Sequence, residues 1–506
     1  MEQEEKKQKS QAAENQASCS PLQPVEPHPF ISVIPLAVLI TLIILVVKIF
    51  PDDALAGASQ VALMIATAVC VALGMGIYRM KWNIFEEMIK KTVGDAGVSI
   101  LILLLIGMMS ATWMISGVVP TLIYYGVQIM SPTFFLPCAC IISSIISVMT
   151  GTSWTTIATI GIALMGIGDA LGIPAPYTAG AIISGAYFGD KISPLSDTTV
   201  LASSVTDTPL FKHIKYMMIT TVPSMIITLT IFTVAGFAHE ATATDQIAMY
   251  SASLKETFHI SLWLLIVPVI TGILIAKRIP SIITLFISAT LAGIFALFFQ
   301  PHLLQEISGL PVQDMQSQFK GLIMTFYGST QVQTGNPDLN DLVSTRGMSG
   351  MMNTIWLIIC AMCFGGAMTA SGMLGSITSV FIRFMKRTVG LVASTVASGL
   401  FLNICTADQY ISIILTGNMF KDIYQKKGYE SRLLSRTTED AVTVTSVLIP
   451  WNTCGMTQAT ILGVATFTYL PYCFFNLISP LMSITVAAIG FKIKRINEKA
   501  ESIATD

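Results

Sequence analysis

Charge is scarce in this sequence: 11% of its 506 residues are Asp, Glu, Lys or Arg, whereas 53% are hydrophobic. Soluble domains carry about a quarter charged residues, so a polytopic membrane protein is the class that remains. Other absences narrow the function. There is no G-x-x-x-x-G-K-[ST] loop to cradle phosphate and no H-E-x-x-H pair to hold zinc, so ATP-driven pumping and zinc hydrolysis lack their usual residues. No basic patch marks nucleic acid as a partner. Cys138/Cys140 and Cys360/Cys363 come without the further Cys or His ligands of a metal site, so the nine cysteines are expected to be buried thiols and no cofactor is expected. No Ser-His-Asp or Cys-His pairing suggests an enzyme.

What is present is a series of apolar runs. Residues 1–29 are rich in Gln, Glu, Lys, Ser and Pro, which predicts a disordered cytoplasmic tail. Ile31 to Phe50 is too long for the core of a cleaved signal and long enough to cross ~30 Å of hydrocarbon, so it stays as the first span. Further spans are expected at 57–78, 98–118, 214–238, 259–277, 280–299, 353–382 and 470–491. Between them lie 132–170, 178–210, 388–420 and 433–468, each interrupted by polar residues, Gly or Pro. Taking the first and third as re-entrant hairpins and the second and fourth as broken crossings gives about ten crossings plus two hairpins. The predicted organisation is a first half at 30–240, an outer loop at 241–257, a second half at 258–491 containing an outer loop at 301–350, and a cytoplasmic tail at 492–506.

The charges test this order. With both termini cytoplasmic, all of the 28 Lys and Arg fall inside except Lys48, Lys191, Lys255, Lys320 and Arg346, as the positive-inside rule requires. The stretches placed outside in this test, 239–257 and 301–350, carry Glu240, Asp245, Glu306, Asp314, Asp338 and Asp341. An internal repeat at an offset of about 255 points the same way. Ile115 to Val118 matches Ala370 to Met373, Thr150 to Trp154 falls opposite Cys405 to Gln409, and Pro194 is echoed by Pro450 to Gly455. The matched helices start on opposite sides, so the repeats are inverted. Paired interruptions in inverted repeats are the mark of secondary transporters.

The two most polar stretches, T-G-T-S-W-T-T-I-A-T-I-G at 150–161 and G-A-Y-F-G-D-K-I-S-P-L-S-D-T-T-V at 185–200, resemble hallmark segments of the NhaC-type sodium/proton antiporter family. The similarity extends from about residue 30 to 491. That family is grouped with the ion-transporter superfamily, so the resemblance implies an all-α membrane protein with two inverted repeats, each supplying a re-entrant hairpin and a broken helix. It also implies sodium bound between hairpin tip and helix break, elevator-like motion, homodimers by superfamily analogy, and a bacterial plasma (inner) membrane location. Some relatives exchange malate for lactate, so the family name leaves the solute open.

The chemistry of the residues is consistent with this. Sodium takes oxygen ligands, and the tip offers Thr152 and Ser153 while the break offers Ser193, Ser196, Asp197 and Thr198. Asp190 and Asp197 are functional candidates because a carboxylate at membrane depth is costly unless used; either one is expected to touch the ion. Lys191, taken as the only basic residue within the membrane, is expected to pair with Asp197 or Asp190. In the second repeat, Asp408 falls opposite Ser153, with Thr406, Asn452 and Thr453 nearby, forming either a second ion site or the place for substrate. Glu439 joins this group or, with Asp440, caps a helix near a cytoplasmic boundary beside Arg432 and Arg436. The expected function is sodium efflux coupled to proton uptake. The alternative is sodium- or proton-coupled movement of a small carboxylate of malate or lactate type, or of an amino acid.

Overall fold

The structure is a computed structural model. It describes residues 27–50, 57–238, 244–277, 279–332, 334, 340, 343–382 and 387–495. The expected tail at 1–26, parts of the two outer loops, the end of the C-terminal tail, and the charges Lys6, Lys7, Lys9, Arg278, Arg383, Lys386, Lys499, Glu240, Asp338 and Asp341 lie outside them.

Among the described residues the chain is helical, with two isolated bridges, Thr330 to Thr345 and Tyr429 to Arg495. Eight helices are long and apolar enough to cross a membrane, and up to ten if each of two bent pairs counts as one span. The bent pairs are Ser251–Thr257 with Leu262–Ala276, at 91°, and Thr466–Tyr472 with Phe474–Ile489, at 58°. The first arms of both expected hairpins, Pro132–Thr150 and Thr388–Thr406, are themselves among the eight. The stretch read as an outer loop at 301–350 is more structured than its polarity suggested. It contains Pro301–Ser308 and Met315–Tyr327, and the second starts at an Asp314/Ser317 capping box.

Two helix breaks organise the interior. Ala175–Ile192 stops at Ser193, and the next helix, Asp197–Val205, starts at Ser196, whose side chain accepts from Thr199 N. Pro194 is not alone in making this gap. Ser193 Oγ donates to Val148 O at 2.8 Å and accepts from Leu195 N at 3.2 Å, so the unwound backbone is tied to the neighbouring helix. The second break follows a π-helical turn, Glu439–Thr443, and ends at Asn452, which caps Thr453–Leu462 by accepting from Cys454 N at 3.1 Å. Each polar backbone group freed in lipid needs such a partner.

Small residues bring the pieces together. A Cβ added at Gly185 would lie 2.1 Å from Cys140 O, and one at Gly189 2.3 Å from Ser144 O. Residues four apart share a helix face, so G-A-Y-F-G lets Ala175–Ile192 lie directly against Pro132–Thr150, as small-residue interfaces do in membranes. The turn after Pro132–Thr150 runs through Gly151 at φ 68°, where a Cβ would meet Leu195 at 2.6 Å.

The hydrogen bonds of the two breaks and two tips correspond, and they move the register by one residue. Thr150 Oγ1 bonds Thr152 O and Thr156 Oγ1; Thr406 Oγ1 bonds Asp408 O and Ser412 Oγ. Ser147 Oγ donates to Ala186 O, and Asn403 Nδ2 to Val442 O. Each pair is 256 residues apart, so Asp408 corresponds to Thr152 and not to Ser153. Gly151 corresponds to Ala407, which holds φ 56° despite its methyl group.

Candidate functional site

Both tips and the first break face one cavity of about 1010 Å3. Of the residues singled out from the sequence, Thr152, Ser153, Asp190, Asp197, Thr198 and Asp408 line it. Asp190 is buried and anchored from the tip: its Oδ2 accepts from Ser153 N at 3.0 Å and Ser153 Oγ at 2.8 Å. Asp197 is the first residue of its helix and is exposed towards the cavity. Thr198 Oγ1 and Ser196 Oγ share a hydrogen bond at 2.9 Å behind it. Asp408 caps Gln409–Lys426 by accepting from Ile411 N at 2.9 Å, and its other oxygen accepts from Thr453 Oγ1 at 3.3 Å.

The remaining sequence candidates shape the site without lining it. Ser193 and Ser196 hold the break, Thr406 closes the second tip, and Asn452 caps its helix while donating to Asn403 O at 3.1 Å. Trp451 donates to Ile404 O at 2.8 Å, a packing role.

Two expectations are corrected. Lys191 does not pair with Asp190 or Asp197; its ammonium bonds Asp440 Oδ1 and, at 3.1 Å, Ser479 Oγ. Neighbours on a helix point away from each other, so with Asp190 turned to the cavity Lys191 turns to the interior behind it. Arg436 is fully buried as well. Glu439 and Asp440 do not cap a solvated helix end. Both are fully buried on the π-helical turn.

Sequence reading missed one acid of the site. Asp95 lines the cavity at the junction of Trp82–Asp95 and Gly97–Ile115, with Thr92 and Ser99 beside it, and Gln409 and Tyr410 enter from the second tip. The available signal was an acid next to Gly94 at the head of an apolar run. Asp95, Asp190, Asp197 and Asp408 thus face one space, and among the described residues lining it there is no Lys, Arg or His. Such a wall attracts cations and repels free carboxylates.

Comparison with known proteins places this architecture. The profile of the Na+/H+ antiporter family matches residues 185–491, which contain the first break and the whole second tip and break. The chain belongs to that family. It is a multi-pass membrane transporter, a secondary antiporter and not an enzyme. It is 36% identical to a malate-2H(+)/Na(+)-lactate antiporter of Bacillus subtilis (strain 168), over 85% of this chain and 89% of that protein. Against the Na(+)/H(+) antiporter NhaC of Alkalihalophilus pseudofirmus the identity is also 36%, over 84% of this chain and 89% of the relative. Against the arginine/ornithine antiporter ArcD of Halobacterium salinarum it is 35%, over 78% and 79%. Family membership therefore gives antiport and leaves the solute to the site.

Proposed function

We propose that this antiporter exports sodium in exchange for protons by alternating access, with the ion held between Asp190, Asp197, Ser153, Thr152, Thr198 and Asp408. The observation that carries the reading is the four-carboxylate wall without a basic residue among the described lining. Sodium is hard and takes oxygens, and the carboxylates and hydroxyls of this wall supply them. In this reading the matched tips and breaks are inverted repeats that rock or slide against a scaffold, with both termini cytoplasmic and the first arms at 132–150 and 388–406 entering as re-entrant hairpins. A homodimer would supply the fixed scaffold.

The test is a flux assay in proteoliposomes with sodium inside, a pH dye and no added organic solute. Proton movement on the sodium gradient alone is expected, and its absence until a solute is added overturns sodium/proton antiport.

A second reading is favoured by one observation, the volume. At about 1010 Å3 the cavity reaches the upper end of the roughly 300–1,000 Å3 of small-molecule sites, far more than one sodium ion fills. Relatives named for malate and lactate and for arginine and ornithine bracket the choice. The acidic wall suits the ammonium or guanidinium of a basic amino acid better than a carboxylate, which would have to enter with its counter-cation. Arginine or ornithine that stabilises the purified protein beyond what saturating sodium achieves supports this reading, and stabilisation by malate or lactate instead overturns it.

A further inference from the structure

Behind the cavity lies a second group of charges that the ion site does not use. Lys191 bonds Asp440 Oδ1, which also accepts from Thr220 Oγ1 at 3.1 Å and from Ser479 Oγ at 3.3 Å. Arg436 Nε stands 3.9 Å from Asp440 Oδ2, and its guanidinium lies over the Tyr216 ring at 4.7 Å. Next to Asp440 on the same π-helical turn, Glu439 is fully buried, and among the described residues no ion pair and no hydrogen bond from another helix reaches its carboxyl oxygens; the polar group beside them is Thr443 Oγ1, one turn on. An isolated buried carboxylate is strongly disfavoured, and π-helical turns concentrate at functional sites.

We propose that Glu439 carries the coupling proton at a site separate from the cavity, and that its charge state is read by Asp190 through the Lys191 cluster. The inference rests on the antiport reading above. With Glu439 ionised, two acids balance Lys191 and Arg436 and the cluster is neutral. With Glu439 protonated the cluster holds one net positive charge, one residue along the helix from the cavity carboxylate of Asp190. A proton on Glu439 therefore weakens a cation at Asp190, and a cation at Asp190 favours loss of that proton. No carboxylate needs to hold both ions.

The charged and titratable groups around Glu439 and the Lys191 cluster are Asp440 on its own turn, Arg436 and Arg432 on the preceding helix, Lys191 and Asp190 on Ala175–Ile192, and His213 and Tyr216 on Leu210–Ala238, the first bonded to Ser435 and the second against Arg436. Asp197 stands on the helix after the break and Tyr424 on Gln409–Lys426. Thr388–Thr406 and Phe474–Ile489 present the uncharged Asn403, Asn476 and Ser479. Lys191, Asp190 and Asp440 all act on Glu439 electrostatically.

The test is sodium binding to the purified full chain, read from thermal stabilisation across a pH series. For the wild type, apparent sodium affinity is expected to fall as pH falls, by the roughly 5–150-fold of a typical coupling between sites. Glu439→Gln copies the protonated state, so its affinity is expected to sit at the wild type's low-pH value and stay flat with pH, while Glu439→Asp restores the slope. A Gln variant that keeps the wild-type slope overturns the proposal. A Gln variant that melts cooperatively but binds no sodium at any concentration places Glu439 in the ion site and also overturns it. Failure of the wild type itself to bind sodium is a different result. It overturns the antiport reading and the inference with it.

Discussion

Asp190 and Lys191 are neighbours in the chain, yet they serve two sites, and the stability of variants separates them. Lys191 is buried against Asp440, so Lys191→Met removes the nearest cation from a buried carboxylate and is expected to cost up to about 3–5 kcal/mol. Asp197 is exposed to the cavity with no ion pair to lose, so Asp197→Asn should stay within about 0.5 kcal/mol while losing sodium-dependent transport. Equal destabilisation of the two in thermal melts would restore the pairing expected from sequence. That pairing was illegible because residue order gives composition at a break but not which face of the helix each residue occupies. The partner, Asp440, comes from 249 positions away. The acids at Asp190, Asp197 and Asp408 were legible because a carboxylate amid apolar sequence stands out at any register. Asp95 was not, since a helix junction beside a basic stretch, Lys90 and Lys91, reads as a solvated boundary.

At the scale of elements, Pro194 is one cause of the first break, and the structure supplies two further ones. Ser196 caps the following helix and Ser193 ties the gap to Val148 O. Pro194→Ala should therefore leave the break in place, and Ser196→Ala should cost about 1 kcal/mol as the loss of an N-cap does, measured by melting of the purified protein. The register of the repeat shows the limit of short identities. The matches at Ile115 and Thr150 gave 255 and that at Pro194 gave 256, and the hydrogen bonds from Thr150 and Thr406 into their tips agree with 256. At Gly151 a Cβ would strike Leu195 and the left-handed backbone would be strained by about 1–2 kcal/mol. Gly151→Ala should lower the melting temperature and sodium affinity together, because the tip that carries Ser153 would have to move off the break.

At the scale of the whole molecule, the position of the cavity combines with the charge pattern to give a direction. Its wall includes Thr92, Ser99 and Ile102 on one segment and Ile275, Ile279 and Ser281 on another, and these positions are close in sequence to Lys90, Lys91 and Lys277, which the positive-inside rule puts in the cytoplasm. The described conformation is thus expected to be open inwards. Cysteines introduced at Ser99 and Ser281, in a background with the native cysteines replaced, should react with a membrane-impermeant thiol reagent from the cytoplasmic face of inside-out vesicles and not from the outer face of cells. Sodium should slow the reaction at Ser99, which shares the cavity with the four carboxylates, by filling the space between them. Labelling from the outer face alone would reverse the orientation read from the loop charges. Labelling from both faces would mean the cavity exchanges between sides without a bound ion, which obligatory antiport forbids: an empty site that crosses freely with its acids unprotonated would let one gradient run down without driving the other.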